Sequence, residues 1–407
     1  MHMLSAQNRS EFLATPHLVR LDNAKGRAGF EPTLLIKADV IVLKYMTRGV
    51  RLQLMIGQVR GDRLIYGLVV HDDPTSPGVI WSVLEREEER RALLGVAEGK
   101  PLQVFLFNEL AINVAWAEMQ VNVTDSRLGS LAAYAGLGQV DHTGLSATID
   151  ELFVRLRDGE LTDPTMLLVD LPAVEHWNPV RNSLITSQSN VSEVDLFDLD
   201  EGRQQEKLVI WLSDNLHPDV IIDQPQIMKG ARLRELTDVL LSYSGGTFIF
   251  ESKTLTLLNR SELPDRTKLS KNVLSSVKKG FNQLKGAARQ IRDGTRIYDT
   301  DGREHEVERS QPIHAIILVP DLRLLPPQFG FDMMVDFAKA IHGYLHILDP
   351  SELLRIVQIA EQLVRRSESQ TITPMMALDS RFIERADTCI DAKSLNVEII
   401  THFEAAP

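Results

Sequence analysis

The chain has 407 residues, 43% hydrophobic and 25% charged, with a formal net charge of −12, an ordinary balance for a soluble globular protein of roughly two or three domains. One cysteine, Cys389, excludes an intrachain disulfide and a cysteine-built zinc cage. The acidic balance argues against a surface coated in nucleic acid, although it leaves room for a local basic channel.

Residues 1–30 are polar and predict a partly disordered lead-in. Residues 31–160 then read as a β-rich N-terminal domain of unassigned role. Short apolar runs such as TLLIKADVIVLKY, RLQLMIGQV, RLIYGLVVH and LQVFLFNEL alternate with the turn signals RGD, DDPTSPG and EGKP. REEERRALLGVA is too charged for a strand and predicts a short helix. GLGQVDHTGL contains Gly-x-Gly but no strand leads into it, so a plain loop is expected rather than a phosphate cradle. ATIDELFVRLRDG predicts a helix ending at Gly159. Residues 161–200 read as a connecting segment, with PTMLLVDLP as one buried strand and a polar, acidic excursion after it.

Residues 201–407 show a clear element order. EGRQQEKLVIWLSDNL predicts a helix with Leu208, Trp211, Leu212 and Leu216 on one face, stopped by His217-Pro218. DVIIDQPQI predicts a strand, and LTDVLLSY and TFIFESKTLTLL predict two more, joined at Gly245-Gly246. KLSKNVLSSVKKGFNQLKGAARQIRDG is a long helix, and the uninterrupted apolar run IHAIILVPDL a central strand. FDMMVDFAKAIHG, YLHILD and PSELLRIVQIAEQLVRR add helix, strand and helix. The last helix has Asp349 as N-cap, Pro350 at its first position and Glu352 completing a capping box. The order is α-β-β-β-α-β-α-β-α, a mixed α/β domain with helices covering a sheet.

The hairpin carries the chemistry. A two-residue loop at Gly245-Gly246 pairs Ser244 with Thr247, Leu240 with Glu251, and Asp238 with Lys253. Opposed residues, and residues two apart, point to one side of a sheet, so Asp238, Glu251 and Lys253 share a face. Glu251 follows TFIF, where an uncompensated charge is costly. Two converging carboxylates beside an ammonium suit Mg²⁺, which needs few protein ligands and accepts substrate phosphate.

Asp238, the hairpin and then Glu251-Ser252-Lys253 resemble the PD-(D/E)xK, or restriction-endonuclease-like, nuclease superfamily, with Thr237 where the motif has proline. The resemblance covers Glu201 to Asp349 and implies a restriction-endonuclease-like core, a mixed sheet flanked by helices, separate from the N-terminal domain. It implies Mg²⁺, with Mn²⁺ as a substitute, on Asp238 and Glu251, and Lys253 as the catalytic lysine. It points to Gln283 as an assisting residue in the helix that follows, and to Glu206, with Glu201 second, as a further ligand. The implied activity is metal-dependent hydrolysis of DNA phosphodiesters by a prokaryotic restriction or anti-phage defence effector; the cytoplasm is the compartment expected from the single cysteine. It would work as a homodimer or larger oligomer, with a partner protein of the same defence system conceivable. A non-catalytic binding or scaffold protein of the same fold, and an RNA-directed nuclease, are the alternatives.

The helix over 268–292 has seven basic residues and no acidic one. Lys279, Gln283, Gly286 and Gln290 form a polar stripe, and Phe281, Leu284, Ala288 and Ile291 an apolar one. Lys278, Lys279, Lys285, Arg289 and Arg292 are the candidates for contact with a DNA backbone. His217, His305, His314, His342 and His346 are scattered and predict no zinc site. The chain has neither a Walker A loop nor a Gly-x-Ser-x-Gly elbow. No apolar run is long enough to cross a bilayer, and the opening residues lack a signal-peptide core. The tetrapeptide ELTD at Glu235–Asp238 also occurs at Glu160–Asp163, but that copy is followed by neither a Gly-Gly turn nor a matching lysine, so the repeat is chance.

Overall fold

The computed structural model describes residues 4–26, 29–59, 61–73, 77–138, 154, 166–187, 191–255, 257–258, 260, 262–367, 372–395 and 397. The chain is mixed α/β and forms two compact units. The first runs to Asn182 and takes in Asp195–Phe197 and Ser261–Arg266; the second holds the rest. Among the described residues, no helix is long and apolar enough to cross a membrane.

The first unit contains α1 (Ala6–Ala14), β1 (Leu18–Gly26), β2 (Gly29–Lys37), α2 (Val40–Thr47), β3 (Leu52–Gln58), β4 (Leu64–Val70), β5 (Gly78–Val83), α3 (Glu87–Ala97), β6 (Leu102–Phe107), β7 (Asn113–Met119), α4 (Arg127–Tyr134), β8 (Met166–Leu171) and β9 (Asn178–Pro179). They build one sheet in the order β1-β2-β6-β7-β9 and another in the order β5-β4-β3-β8. The expected loose lead-in is instead ordered from Ala6. Phe12 is fully buried among Leu18, Leu35, Phe105 and Phe107, and that burial holds α1 in place. The Ser5 hydroxyl caps the helix by accepting from the Asn8 N–H at 3.1 Å. α3 forms as expected, with Glu89 buried at its start. Its carboxylate accepts from the backbone N–H groups of Glu85 and Arg86, from the Tyr66 hydroxyl at 2.8 Å and from Arg20 at 3.2 Å. Most of the helix expected to end at Gly159 lies outside the described residues. The connecting segment does not behave as one. β8 pairs with β3 inside the first unit, and the polar excursion supplies two short paired strands, β10 (Asn182–Ile185) and β11 (Val191–Val194).

The second unit continues with α5 (Glu201–Asp214), β12 (Val220–Asp223), β13 (Gln226–Lys229), β14 (Arg232–Glu235), β15 (Val239–Tyr243), β16 (Gly246–Ser252), α6 (Arg266–Arg292), β17 (Ile297–Tyr298), β18 (Glu304–His305), β19 (Ile313–Leu318), α7 (Phe331–Ile341), β20 (Tyr344–Leu348), α8 (Pro350–Arg366) and α9 (Pro374–Ala392). Its main sheet runs β12-β15-β16-β19-β20, antiparallel as far as β16 and parallel beyond it. β19 lies between β16 and β20 with every residue buried, as its uninterrupted apolar run predicts.

DVIIDQPQI does not make one strand. Gln224 adopts a left-handed φ of 51° and Pro225 follows, so the chain turns out of the sheet after Asp223. The Gln224 N–H donates to the Asp238 carbonyl at 2.8 Å. β13 then enters a separate small sheet, β14-β13-β17-β18.

Both faces of the main sheet are covered. α6 buries Val273, Val277, Gly280, Leu284, Ala288 and Ile291, and Gly280 lies over Glu251 and Ile317. On the opposite face Phe248 and His346 pack against Phe382 of α9, with ring centroids 5.6 and 4.7 Å apart. Sequence reasoning overlooked α9, although Thr373-Pro374 is a cap signal and the Thr373 hydroxyl accepts from the Met376 N–H. α9 also changes the expected cap of α8. Asp349 is the N-cap and accepts from the Glu352 N–H at 2.9 Å, but the Glu352 carboxylate turns away to Arg385, at 2.6 and 3.1 Å. A fully buried guanidinium needs that charge more than the cap needs a second bond.

Candidate active site

The hairpin turns one residue earlier than expected. Tyr243 pairs with Gly246, Ser242 with Thr247 and Val239 with Phe250, leaving Ser244-Gly245 as the loop. Hydroxyls fix this register. Ser242 Oγ and Thr247 Oγ1 meet across the strands at 3.3 Å; Ser242 accepts from the Glu308 N–H at 2.8 Å, and Thr247 donates to the Glu308 carbonyl at 2.7 Å. At Gly245 a β-carbon would stand 2.7 Å from the Tyr243 ring, so any other residue there requires that ring to move. The pairing is offset by two residues from the expected one, and an even offset leaves each side chain on its expected face. Asp238 thus comes beside Glu251 rather than opposite Lys253.

Asp238 and Glu251 are 9% and 3% exposed. The Asp238 N–H donates to the Phe250 carbonyl at 3.1 Å, and its carboxylate accepts from the Ser252 N–H at 2.5 Å. Thr237 donates to the Phe250 carbonyl at 2.5 Å and reaches Glu251 at 3.5 Å. Lys253, just past the end of β16, places Nζ 2.5 Å from Glu251 Oε1 and 3.2 Å from Gln283 Oε1. Gln283 projects from the exposed edge of α6. α6 comes this close because position 280 is glycine: a β-carbon there would lie 3.0 Å from Lys253 Cε and 3.5 Å from Glu251 Cγ.

The electrostatics are those of crowded, buried carboxylates. Burial pushes the Glu251 carboxyl well above its ordinary range, and the Asp238 charge adds to the rise against the pull of Lys253. Burial raises Asp238 as well, opposed by the Ser252 N–H and Lys253 and reinforced by Glu206 and Glu235. Glu235 is itself raised, first by burial, and shares a hydrogen bond with Asp238. Sequence reasoning missed Glu235, although it stands three residues before Asp238 and opens the ELTD tetrapeptide. It also missed Gly280, whose position one turn before Gln283 was the available signal.

The two candidates on α5 divide. Glu206 contributes to the field at Asp238, but its carboxylate bonds Arg203 at 2.7 Å, and the same guanidinium holds Asp223 at 2.7 and 2.8 Å. Glu201 anchors a loop instead, accepting from the backbone N–H groups of Leu257 and Leu258 at 3.0 and 3.4 Å. Among the described residues no group of three or more His, Cys, Asp or Glu side chains converges on a single point. Asp238 and Glu251 are the adjacent carboxylates that could hold a metal ion. These hard oxygens suit Mg²⁺ or Mn²⁺, which take one or two carboxylates and complete their shell with water and phosphate. Two neighbouring buried carboxyls, both raised by burial and Glu251 further by the Asp238 charge, also fit a site for a divalent cation.

Only part of the basic candidate set lies on the Gln283 side. Lys279 is exposed within one turn of Gln283, with Gly286 and Gln290 along the same stripe. Counting around the helix at about 100° per residue, Lys278, Lys285, Arg289 and Arg292 fall on the far flank. Lys285 bonds Asp336 at 2.7 Å and sits 5.5 Å from the Phe281 ring centre, and Arg292 donates to the His342 carbonyl at 3.2 Å. Those two tie α6 to its neighbours.

The histidines serve other ends. His342 ends α7 with a φ of 51°, and His305 bonds Asp299 at 2.8 Å. His314 Nδ1 lies 3.1 Å from His346 Nε2, and His314 Nε2 lies 2.6 Å from Asp379 Oδ1, all beneath α9. Burial, then His314 and Arg385, push His346 well below its ordinary pKa and keep it neutral.

The chain matches no protein-family model, no curated protein and no solved structure.

Proposed function

We propose that Asp238, Glu251, Lys253 and Gln283 form the centre of a metal-dependent nuclease that hydrolyses DNA phosphodiesters, on a restriction-endonuclease-like core. The reading rests chiefly on one observation: buried Asp238 and Glu251 sit side by side at the ends of paired strands, with the Lys253 ammonium 2.5 Å from Glu251. Sheet order adds support. α5 precedes β12, β15 and β16, and α6 and then β19 follow, the order the resemblance calls for once the β13–β14 excursion is set aside.

Asp238 and Glu251 would hold Mg²⁺ or Mn²⁺, which supplies charge stabilisation at the scissile phosphate and favours ionisation of the attacking water. The surrounding residues do the rest. Lys253, positioned from Glu251 and Gln283, offers its ammonium to a water or to the charge that grows on the phosphate. Gln283 holds the far side of that ammonium and can turn its amide toward the same phosphate. Gly280 lets α6 come close enough for Gln283 to reach. Lys279 extends positive charge along the approach. A restriction or anti-phage defence role is the biological setting that suits a stand-alone nuclease joined to a second unit, by analogy at the level of fold.

The test is incubation with plasmid DNA, linear duplex, single-stranded DNA and RNA in Mg²⁺, in Mn²⁺ and in chelator. Cleavage of DNA that requires the metal supports the reading, cleavage of RNA alone redirects it, and intact substrates throughout refute it.

A further inference from the structure

The β13–β14 hairpin brings its last residue, Glu235, beside Asp238, three residues on, while its other residues, Gln226 to Arg234, take no part in the acidic centre. Met228 through Glu235 are exposed without interruption. β17 pairs only with Gln226 and Ile227, so Met228-Lys229 and Arg232-Leu233 project beyond it as a two-stranded ribbon. Gly230-Ala231 closes the tip, with Gly230 at a φ of 66°. The pairs Lys229 with Arg232 and Ile227 with Arg234 place three cations on one face, with no acidic residue among them. None of the three makes an ion pair or a side-chain hydrogen bond with another described residue. Elsewhere in this acidic protein cations are commonly paired, as at Arg20, Arg86, Arg203 and Lys253.

A hydrated charge alone explains little, because a small ribbon gains nothing from three like charges that repel one another. Phosphate groups spaced along a nucleic acid resolve that repulsion. Shape selects the form of nucleic acid. Strands about 4.8 Å apart make a ribbon that the roughly 12 Å major groove of B-form DNA admits. The deep, narrow major groove of double-stranded RNA does not admit it.

We propose that the β13–β14 ribbon is a DNA-binding arm whose cationic face, Lys229, Arg232 and Arg234, grips phosphates bordering the major groove of a duplex whose backbone reaches Asp238 and Glu251. This inference rests on the nuclease reading and adds its substrate class, duplex DNA.

The experiment uses the full chain carrying Lys253→Met, a fluorescein-labelled duplex, and matched single-stranded DNA and double-stranded RNA. Binding is followed by anisotropy over a salt series, with and without Lys229→Gln/Arg232→Gln/Arg234→Gln. Cleavage of the duplex is measured in parallel with Lys253 intact. The triple variant should bind duplex DNA about 10- to 100-fold more weakly, with a salt slope shallower by roughly 0.9 for each phosphate that is no longer neutralised. It should also raise KM more than it lowers kcat. Arg232→Lys/Arg234→Lys should keep most of the binding, since a phosphate reads charge. An unchanged melting temperature shows that the exposed ribbon is not needed for folding. If the protein cleaves duplex DNA and the triple variant binds it with the same affinity and salt slope, the arm is refuted and the nuclease reading stands. If the triple variant loses binding to RNA but not to duplex DNA, the choice of duplex DNA is overturned. If the protein neither binds nor cleaves any of the three nucleic acids, both inferences fall together.

Discussion

Gly280 of α6 faces Lys253 so closely that a β-carbon would come within 3.0 Å of Lys253 Cε. The side chain that must give way carries the ammonium of the proposed centre. Gly280→Ala should therefore fold, because a lysine end can move by a few tenths of an ångström. Its activity should fall by about tenfold, since small misplacements at a reacting centre are costly. Melting temperature and single-turnover cleavage rate, measured together, check this. Equal losses of stability and activity would show that Gly280 serves packing alone.

The raised Asp238 carboxyl has a consequence for stability. Its folded pKa lies above the unfolded value of about 3.9, so the folded protein holds the extra proton between the two. Stability is thus lost as pH rises through the folded value and recovered as pH falls. Asp238→Asn removes that loss while leaving an oxygen to accept from the Ser252 N–H. The variant should be more stable than wild type at pH 8 by ~1 kcal/mol, or about 2–4 °C in melting temperature. The gap should close toward pH 5. Adding Mg²⁺ should raise the melting temperature of wild type more than that of the variant, which differential scanning fluorimetry can follow.

Lys253→Met separates chemistry from folding differently. It removes the ion pair at Glu251, whose carboxylate is only 3% exposed. Without divalent metal the variant should lose about 1–3 kcal/mol at pH 8, the cost of a buried group left without its partner. The loss should shrink at low pH, where Glu251 takes up a proton instead. Chemical denaturation at both pH values checks the sign.

Far from the centre, Arg385 of α9 is fully buried, with Nε and Nη2 on Glu352 at 2.6 and 3.1 Å. Arg385→Ala leaves the Glu352 charge without its partner and should cost about 3–5 kcal/mol. Glu352→Ala should be at least as damaging, because the charge then left behind is a fully buried guanidinium. Urea unfolding of both variants and of the double variant yields the coupling between them.

What the sequence made legible follows the range of the forces involved. β19, α6 and the Asp349 cap of α8 rest on local pattern, and each appears where that pattern predicts it. The hairpin loop slid by one residue because its register depends on Glu308, sixty-six residues from Ser242. The shared face survived because an even offset preserves parity. The break at Gln224 rests on one left-handed residue inside an apolar run, which periodicity does not register. Glu352 was legible as a cap residue, but Arg385 claims it from an element that sequence reasoning did not foresee. Glu235 was in plain view, yet its part depends on the chain leaving β14 and arriving beside Asp238, a matter of tertiary path.

The central claim is that Asp238, Glu251 and Lys253 make a metal-dependent phosphodiesterase centre. Its most direct test is single-turnover cleavage of end-labelled duplex DNA by wild type and Lys253→Met, in Mg²⁺ and in chelator. The expected result is cleavage by wild type only with metal, and a rate at least 10²-fold lower for the variant, as loss of a charge-stabilising group at a reacting centre implies. Intact DNA with wild type in Mg²⁺ and Mn²⁺, or equal rates for the two proteins, would contradict it.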